Sequence, residues 1–237
     1  EKKDCVPIET LEIPSCYELL DYECAAESFV TNLFVGSGMK AIQGGAFSQS
    51  FVLENLDFES GVSDCYLGES AFSNCQKMKH IALNEGIVSV GANCFHLNKH
   101  LESIRLPQSL LYIGNGGFDD CQALNSITIP ENVKQIGQGA FIGCPFTDIY
   151  LTTTDPDKIP LVWSCGTQFT NFDGRCTFNH GHLDGWEGGV DGYQAQIDGQ
   201  MTWDEAAAFY YLHWNGMPVL HFPRQLAEKV RSEISSL

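Results

Sequence analysis

The side chains able to ligate metal or attack a carbonyl are ten cysteines, seven histidines and thirty acids in 237 residues. Their spacing decides what they can do. The run Asp198-Gly199-Gln200-Met201-Thr202-Trp203-Asp204-Glu205 matches the second half of a twelve-residue calcium loop, with Gly at position 6 and Glu at position 12. Calcium takes six to eight oxygens and favours carboxylates at positions 1, 3 and 5. Gln194 and Gln196 hold the first two of those places, leaving Asp198 and Glu205 as the standard acids. Ligand count therefore favours an Asp-Gly turn feeding a capped helix, with Asp198 and Glu205 as a weak calcium candidate. His180-Gly181-His182, with Asp184 nearby, lacks a third ligand at a spacing diagnostic of zinc. Cys165 and Cys176 flank ten loop-rich residues and are either a local disulfide or two free thiols.

No Ser/His/Asp set, glycine-rich phosphate loop or paired-carboxylate motif stands out, so the chain reads as a non-enzyme with no cofactor. Cys75, Cys121 and Cys144 each lie three residues after a phenylalanine, a place held elsewhere by Ser50 and Asn98. One small, weakly polar residue per repeat is the signature of an inward corner rather than a metal or redox site. An apolar corner raises a thiol's pKa and disfavours a nucleophile.

That spacing belongs to an internal repeat. LESIRLPQSLLYIGNGGF (residues 101–118) superimposes without a gap on LNSITIPENVKQIGQGAF (124–141). Residues 78–95 and 30–47 fit the same frame, and 53–72 fits after a two-residue insertion around Asp64 and Cys65. The phenylalanines at 72, 95, 118 and 141 step by 23 residues, and a sixth copy starts at 146–151. In L-x-x-I-x-L, residues two apart share a side, as a short strand requires. Ile104/Leu106 and Ile127/Ile129 point inward, while Arg105 and Thr128 point out. Nothing in the unit recurs at i, i+3, i+4, i+7 over three turns, which excludes a helical repeat. No copy can bury its apolar face alone, so the copies stack as coils stabilised by nearest neighbours. Six strands at ~4.8 Å give a parallel sheet ~24 Å wide.

The unit L-x-x-I-x-L-P-x-x-L-x-x-I-G-x-x-A-F-x-x-C resembles the BspA-like leucine-rich repeat. Residues 124–144 match every named position except that Ile129 and Val133 replace leucines. The likeness covers roughly 30–151, and IETLEIP at 8–14 reads as an isolated further strand segment. It implies a right-handed leucine-rich-repeat solenoid with a parallel sheet on its concave face and short irregular or 3-10 turns on its convex face. It also implies a secreted or surface-anchored protein of anaerobic bacteria that binds proteins or mediates adhesion, and it supplies no catalytic residues.

The ends must hide a raw solenoid. Residues 1–29 are expected to form an N-terminal tether and cap, 30–151 the repeats, and 152–237 a small α+β C-terminal cap. Within that cap, 203–214 reads as a helix with Thr202 as N-cap and Glu205 completing a capping box. Residues 218–222 read as a short apolar strand, and Pro223 opens a final helix with Leu226, Val230 and Ile234 on one face. The ending VLHFPRQLAEKV resembles the closing element that follows such repeats.

A formal net charge of −17 repels phosphate backbones and anionic membranes, so nucleic acid is excluded as a partner. No apolar run approaches the ~20 residues of a transmembrane helix. The polar opening Glu1-Lys2-Lys3-Asp4 resembles the tether behind a lipid-modified cysteine, implying an upstream signal and an outer-membrane lipoprotein, a cell-surface or a secreted location.

Strand parity sets Phe34, Asp57, Ala82, Arg105, Thr128 and Tyr150 in one outward column, with His80, Ser103, Ser126 and Asp148 in the next. Aromatic and Arg side chains anchor interfaces, so this face is the expected site for a protein ligand. A glycan is the alternative ligand, held by Trp163, Trp186, Tyr193, Trp203 and Trp214. Aromatic residues also fill small cores, which is the plainer account of that set. A hydrolase within 152–237 is a third, weaker reading.

Overall fold

The structure is a computed structural model that describes residues 8–154 except 138, together with 161–162, 219–221 and Pro223. Each coil opens on a strand that carries the alternating apolar pair. These strands line the first side of the coils as three short parallel sheets of three, two and three strands: β1 (Ile8–Ile13), β3 (Val30–Val35) and β5 (Asn55–Phe58); β7 (His80–Ala82) and β9 (Ser103–Arg105); β11 (Ser126–Ile129), β13 (Asp148–Leu151) and β15 (Val219–His221). The returning segment of each coil forms the second sheet: β2 (Leu19–Leu20), β4 (Ala41–Ile42), β6 (Cys65–Leu67), β8 (Ile87–Val90), β10 (Tyr112–Ile113), β12 (Gln135–Ile136) and β14 (Leu161–Val162). All pairings are parallel. The result is a parallel β-solenoid of about six turns. No helix occurs among the described residues.

Two features differ from expectation. The return segment is an unbroken seven-stranded sheet rather than irregular turns. The first side carries eight strands, because Ile8–Ile13 pairs with β3 and Val219–His221 pairs with β13. The strand expected within 218–222 thus lies where Leu220 meets Ile149 and His221 meets Tyr150. Residues 8–29 form a coil like those that follow, with Leu20 aligned on Ile42.

The Ile-Gly pair has a steric reason. A Cβ on Gly91 would lie 2.6 Å from the carbonyl carbon of Gly68, and one on Gly114 would lie 2.6 Å from that of Gly91. Only a residue without a side chain lets successive coils approach this closely at that corner. The third side of each coil is a double turn with two left-handed residues four apart, such as Gly45/Gln49, Ser70/Asn74 and Gly116/Asp120. Its amides donate to the following coil: Phe47 N–H to Ala71 O, Phe72 to Cys94 O and Phe95 to Gly117 O.

The interior is a ladder. Phe47, Phe72, Phe95, Phe118 and Phe141 stack at centroid distances of 5.7, 5.6, 5.3 and 5.4 Å with interplanar angles of 13° or less. Phe146, at the next coil's leading leucine position, tilts by 60° against Phe141. The insertion before β6 shifts the register between Cys65 and Tyr66, and the Cys65 side chain is buried.

Candidate binding site

Within the three sheets of the first side, parallel pairing aligns the outward residues rung by rung. Phe34 pairs with Asp57, Ala82 with Arg105 and Thr128 with Tyr150. Their neighbours Leu33, Val35, Ile104, Ile127 and Ile149 are buried, so this column faces out. Glu12 extends it at one end, and at the other the backbone register sets position 221 beside Tyr150. Phe34 and Tyr150 keep 39% and 41% of their surface exposed, enough to offer ring faces to a partner.

The adjacent column is a side-chain ladder. Asn55 Nδ2 donates to Asn32 Oδ1 at 2.6 Å, and Asn32 Nδ2 donates to Glu9 O at 2.7 Å. His80 Nδ1 and Ser103 Oγ lie 2.9 Å apart. Ser126 pairs with Asp148 on the far rungs. Such bonds between coils fix the rotamers that a ligand would meet, which lowers the ordering cost of binding.

Beside this ladder, where the chain enters β5, β7 and β9, lies an open groove of about 610 Å³. Lys77, Lys79, His80 and His100 line it together with Glu54 and Gln76. Of these, strand parity alone points to His80, in the second outward column. The available signal was the density of Lys and His between residues 77 and 100. Lys77 Nζ pairs with Glu54 at 3.1 Å, and Lys79 Nζ approaches Glu102 at 3.9 Å. Exposed pairs of this kind hold their partners weakly and can exchange them. His100 Nδ1 lies 2.9 Å from Gln76 O, and a carbonyl can only accept, so Nδ1 carries the proton.

The repeat cysteines have no route to nucleophilic or metal chemistry in this geometry. Cys75, Cys121 and Cys144 are fully buried and donate to Phe47 O, Phe95 O and Phe118 O at 3.2, 3.3 and 3.1 Å. Burial pushes the Cys75 and Cys65 thiols up to about 12 and raises Cys144 well above its ordinary value. Asn98 takes the same place and donates to Phe72 O at 2.9 Å. The position therefore calls for a small donor aimed at the preceding coil's phenylalanine carbonyl. Cys, Ser and Asn meet that need alike. No group of three or more His, Cys, Asp or Glu poised for a metal occurs among the described residues.

Several sequence expectations fall outside the described residues: Asp198 and Glu205, the His180/His182/Asp184 set, Cys165 and Cys176, the tryptophans and Tyr193, and both C-terminal helices. No helix among the described residues is long and apolar enough to cross a membrane.

Comparison with known proteins places this geometry. A family described as the BspA type leucine rich repeat region matches residues 3–66 and 65–157 in six copies. Among curated proteins, none matches the chain. The solved structure of the pneumococcal vaccine antigen PcpA is similar at 17% identity and a TM-score of 0.52, over 61% of this chain and 40% of that one. A leucine rich cell surface protein from Faecalibacterium prausnitzii A2-165 is 18% identical with a TM-score of 0.41, over 72% and 51%. A leucine-rich repeat protein from Bacteroides ovatus ATCC 8483 is 18% identical with a TM-score of 0.39, over 66% and 60%. The chain thus spans less than two thirds of each of these proteins.

Proposed function

Because the chain belongs to the BspA-type leucine-rich repeat family, we propose that it is a non-catalytic adhesion module that binds a protein through the outer face of the first side of its coils. The observation that carries the reading is the set of aligned outward pairs Phe34–Asp57, Ala82–Arg105 and Thr128–Tyr150, carried on one stack of coils. Rigid elements position an interface better than loops do, and aromatic and Arg side chains supply anchors. The family also supports a place outside the cytoplasm, at the cell surface, on an outer-membrane lipid anchor or as a secreted protein. The test is capture of host extracellular-matrix and neighbouring surface proteins on the immobilised chain. A saturable ligand supports the reading, and no capture above background removes it.

A second reading, glycan binding, gains one observation on the other sheet. Leu19, Ala41, Tyr66, Ser89, Tyr112 and Gln135 align there in an uncharged column, with Tyr66 and Tyr112 exposed. Two rings spaced by two coils lie ~10 Å apart and offer flat stacking surfaces for sugars. Glycan-array binding lost in Tyr66→Ala and Tyr112→Ala supports this reading, and an array without hits discards it.

A further inference from the structure

We infer that the groove at the entry to β5, β7 and β9 docks an acidic segment of the protein partner, an assignment that rests on the protein-binding reading above. The chain carries a formal net charge of −17, with 13 Lys and Arg against 30 acids. Residues 77–105 reverse that balance: Lys77, Lys79, Lys99 and Arg105 stand against Glu85 and Glu102, and His80, His96 and His100 lie among them. Successive coils bring Lys77, Lys79, His80 and His100 together on one open groove of about 610 Å³. An anionic ligand is repelled by most of this protein's surface and attracted here, which confines its docking to one place.

The present partners of these cations are replaceable. Lys77–Glu54 and Lys79–Glu102 are exposed pairs at 3.1 and 3.9 Å, and Glu54 itself lines the groove. A carboxylate arriving on a partner can take either lysine at little cost. Gln76 is held in place, its Nε2 donating to Leu97 O at 2.6 Å and its carbonyl facing His100 Nδ1 at 2.9 Å. The imidazole is thereby fixed before a ligand arrives. No Phe, Tyr or Trp ring lines the groove among the described residues, so it lacks the flat apolar surface that a sugar ring needs, and this favours a peptide over an anionic glycan.

The test uses the whole chain and a fluorescein-labelled decaglutamate peptide, read by anisotropy at low ionic strength and with added salt. Saturable binding that weakens with salt is expected. The double variant Lys77→Glu/Lys79→Glu should lose roughly tenfold or more in affinity. Lys134→Glu, which makes one such charge change just before β12, should bind as wild type. Thermal melting should be unchanged in both variants, because the affected pairs are exposed. Absence of saturable binding overturns the assignment, as does an equal loss in Lys134→Glu. Groove-dependent binding of polygalacturonate but not of decaglutamate overturns the peptide and makes the ligand an anionic glycan. If this test fails while a captured protein partner still binds, the acidic segment is refuted and the protein-binding reading stands.

Discussion

Asn98 joins two coils through the backbone of Phe72. Its Nδ2 donates to Phe72 O at 2.9 Å while its Oδ1 accepts from Cys75 N–H at 2.7 Å. In the equivalent turns of other coils the amide three residues on bonds the phenylalanine carbonyl directly, as Ser50 N–H does to Phe47 O. Asn98 therefore satisfies two buried groups that would otherwise be orphaned. Asn98→Ala is expected to lower stability by about 3 kcal/mol in urea unfolding. Asn98→Ser, which keeps a donor, should lose clearly less. Equal losses would mean that the side chain acts by volume and not by bonding.

Phe95 sits between Phe72 and Phe118 at 5.6 and 5.3 Å, with both faces covered. Phe95→Ala should cost roughly 3–5 kcal/mol, the range for removing a buried ring and leaving a cavity. Phe95→Leu should recover most of that. A cost for Phe95→Ala below ~1 kcal/mol would show that the ladder is not the stabilising core.

Much of this was legible in the sequence, and the rest was not for identifiable reasons. The 23-residue step, the inward pairs and the phenylalanine column are each one residue type at one phase, so a single alignment exposes them. The second sheet was missed because strands as short as Ala41–Ile42 hold no alternation to detect. The coil at 8–29 was obscured because Ala25 stands where Phe47 stands in the next coil, as their matching amide bonds to Ala46 O and Ala71 O show. Most of the left-handed corner was hidden too, since Glu23, Glu27, Gln49, Ser70, Asn74, Asn93, Leu97 and Asp120 adopt it without glycine. Parity placed the outward column from Phe34 to Tyr150 correctly in space. The cationic groove escaped because Lys77, Lys79 and His100 converge only when coils stack.

The thiols should report burial directly. Cys16 and Cys24 are exposed, whereas Cys65, Cys75, Cys94, Cys121 and Cys144 are buried. N-ethylmaleimide followed by mass spectrometry should label Cys16 and Cys24 in the native chain and the other five only in denaturant. Native labelling of Cys121 as fast as Cys16 would contradict the inward corner.

Alkaline pH should also destabilise the fold. Burial raises the Cys65 and Cys75 thiols from an ordinary 9.0 to about 12. An unfolded chain releases these protons from about pH 9, while the native chain keeps them to about 12. The native state therefore binds more protons in that window, and stability falls as pH rises through it. Urea midpoints should drop above about pH 9, and Cys75→Ser should reduce the slope. A midpoint flat across that range would contradict the shift.

The most direct measurement of the central claim is the affinity of a captured protein ligand for Arg105→Ala and Tyr150→Ala beside wild type, by biolayer interferometry. Both residues lie at outward strand positions on the first side of the coils and neither fills the core. Each substitution is predicted to weaken binding by about 1 kcal/mol or more with the melting temperature unchanged. Wild-type affinity in both variants, with binding abolished instead by substitution at Trp186 or Trp203, would contradict the account.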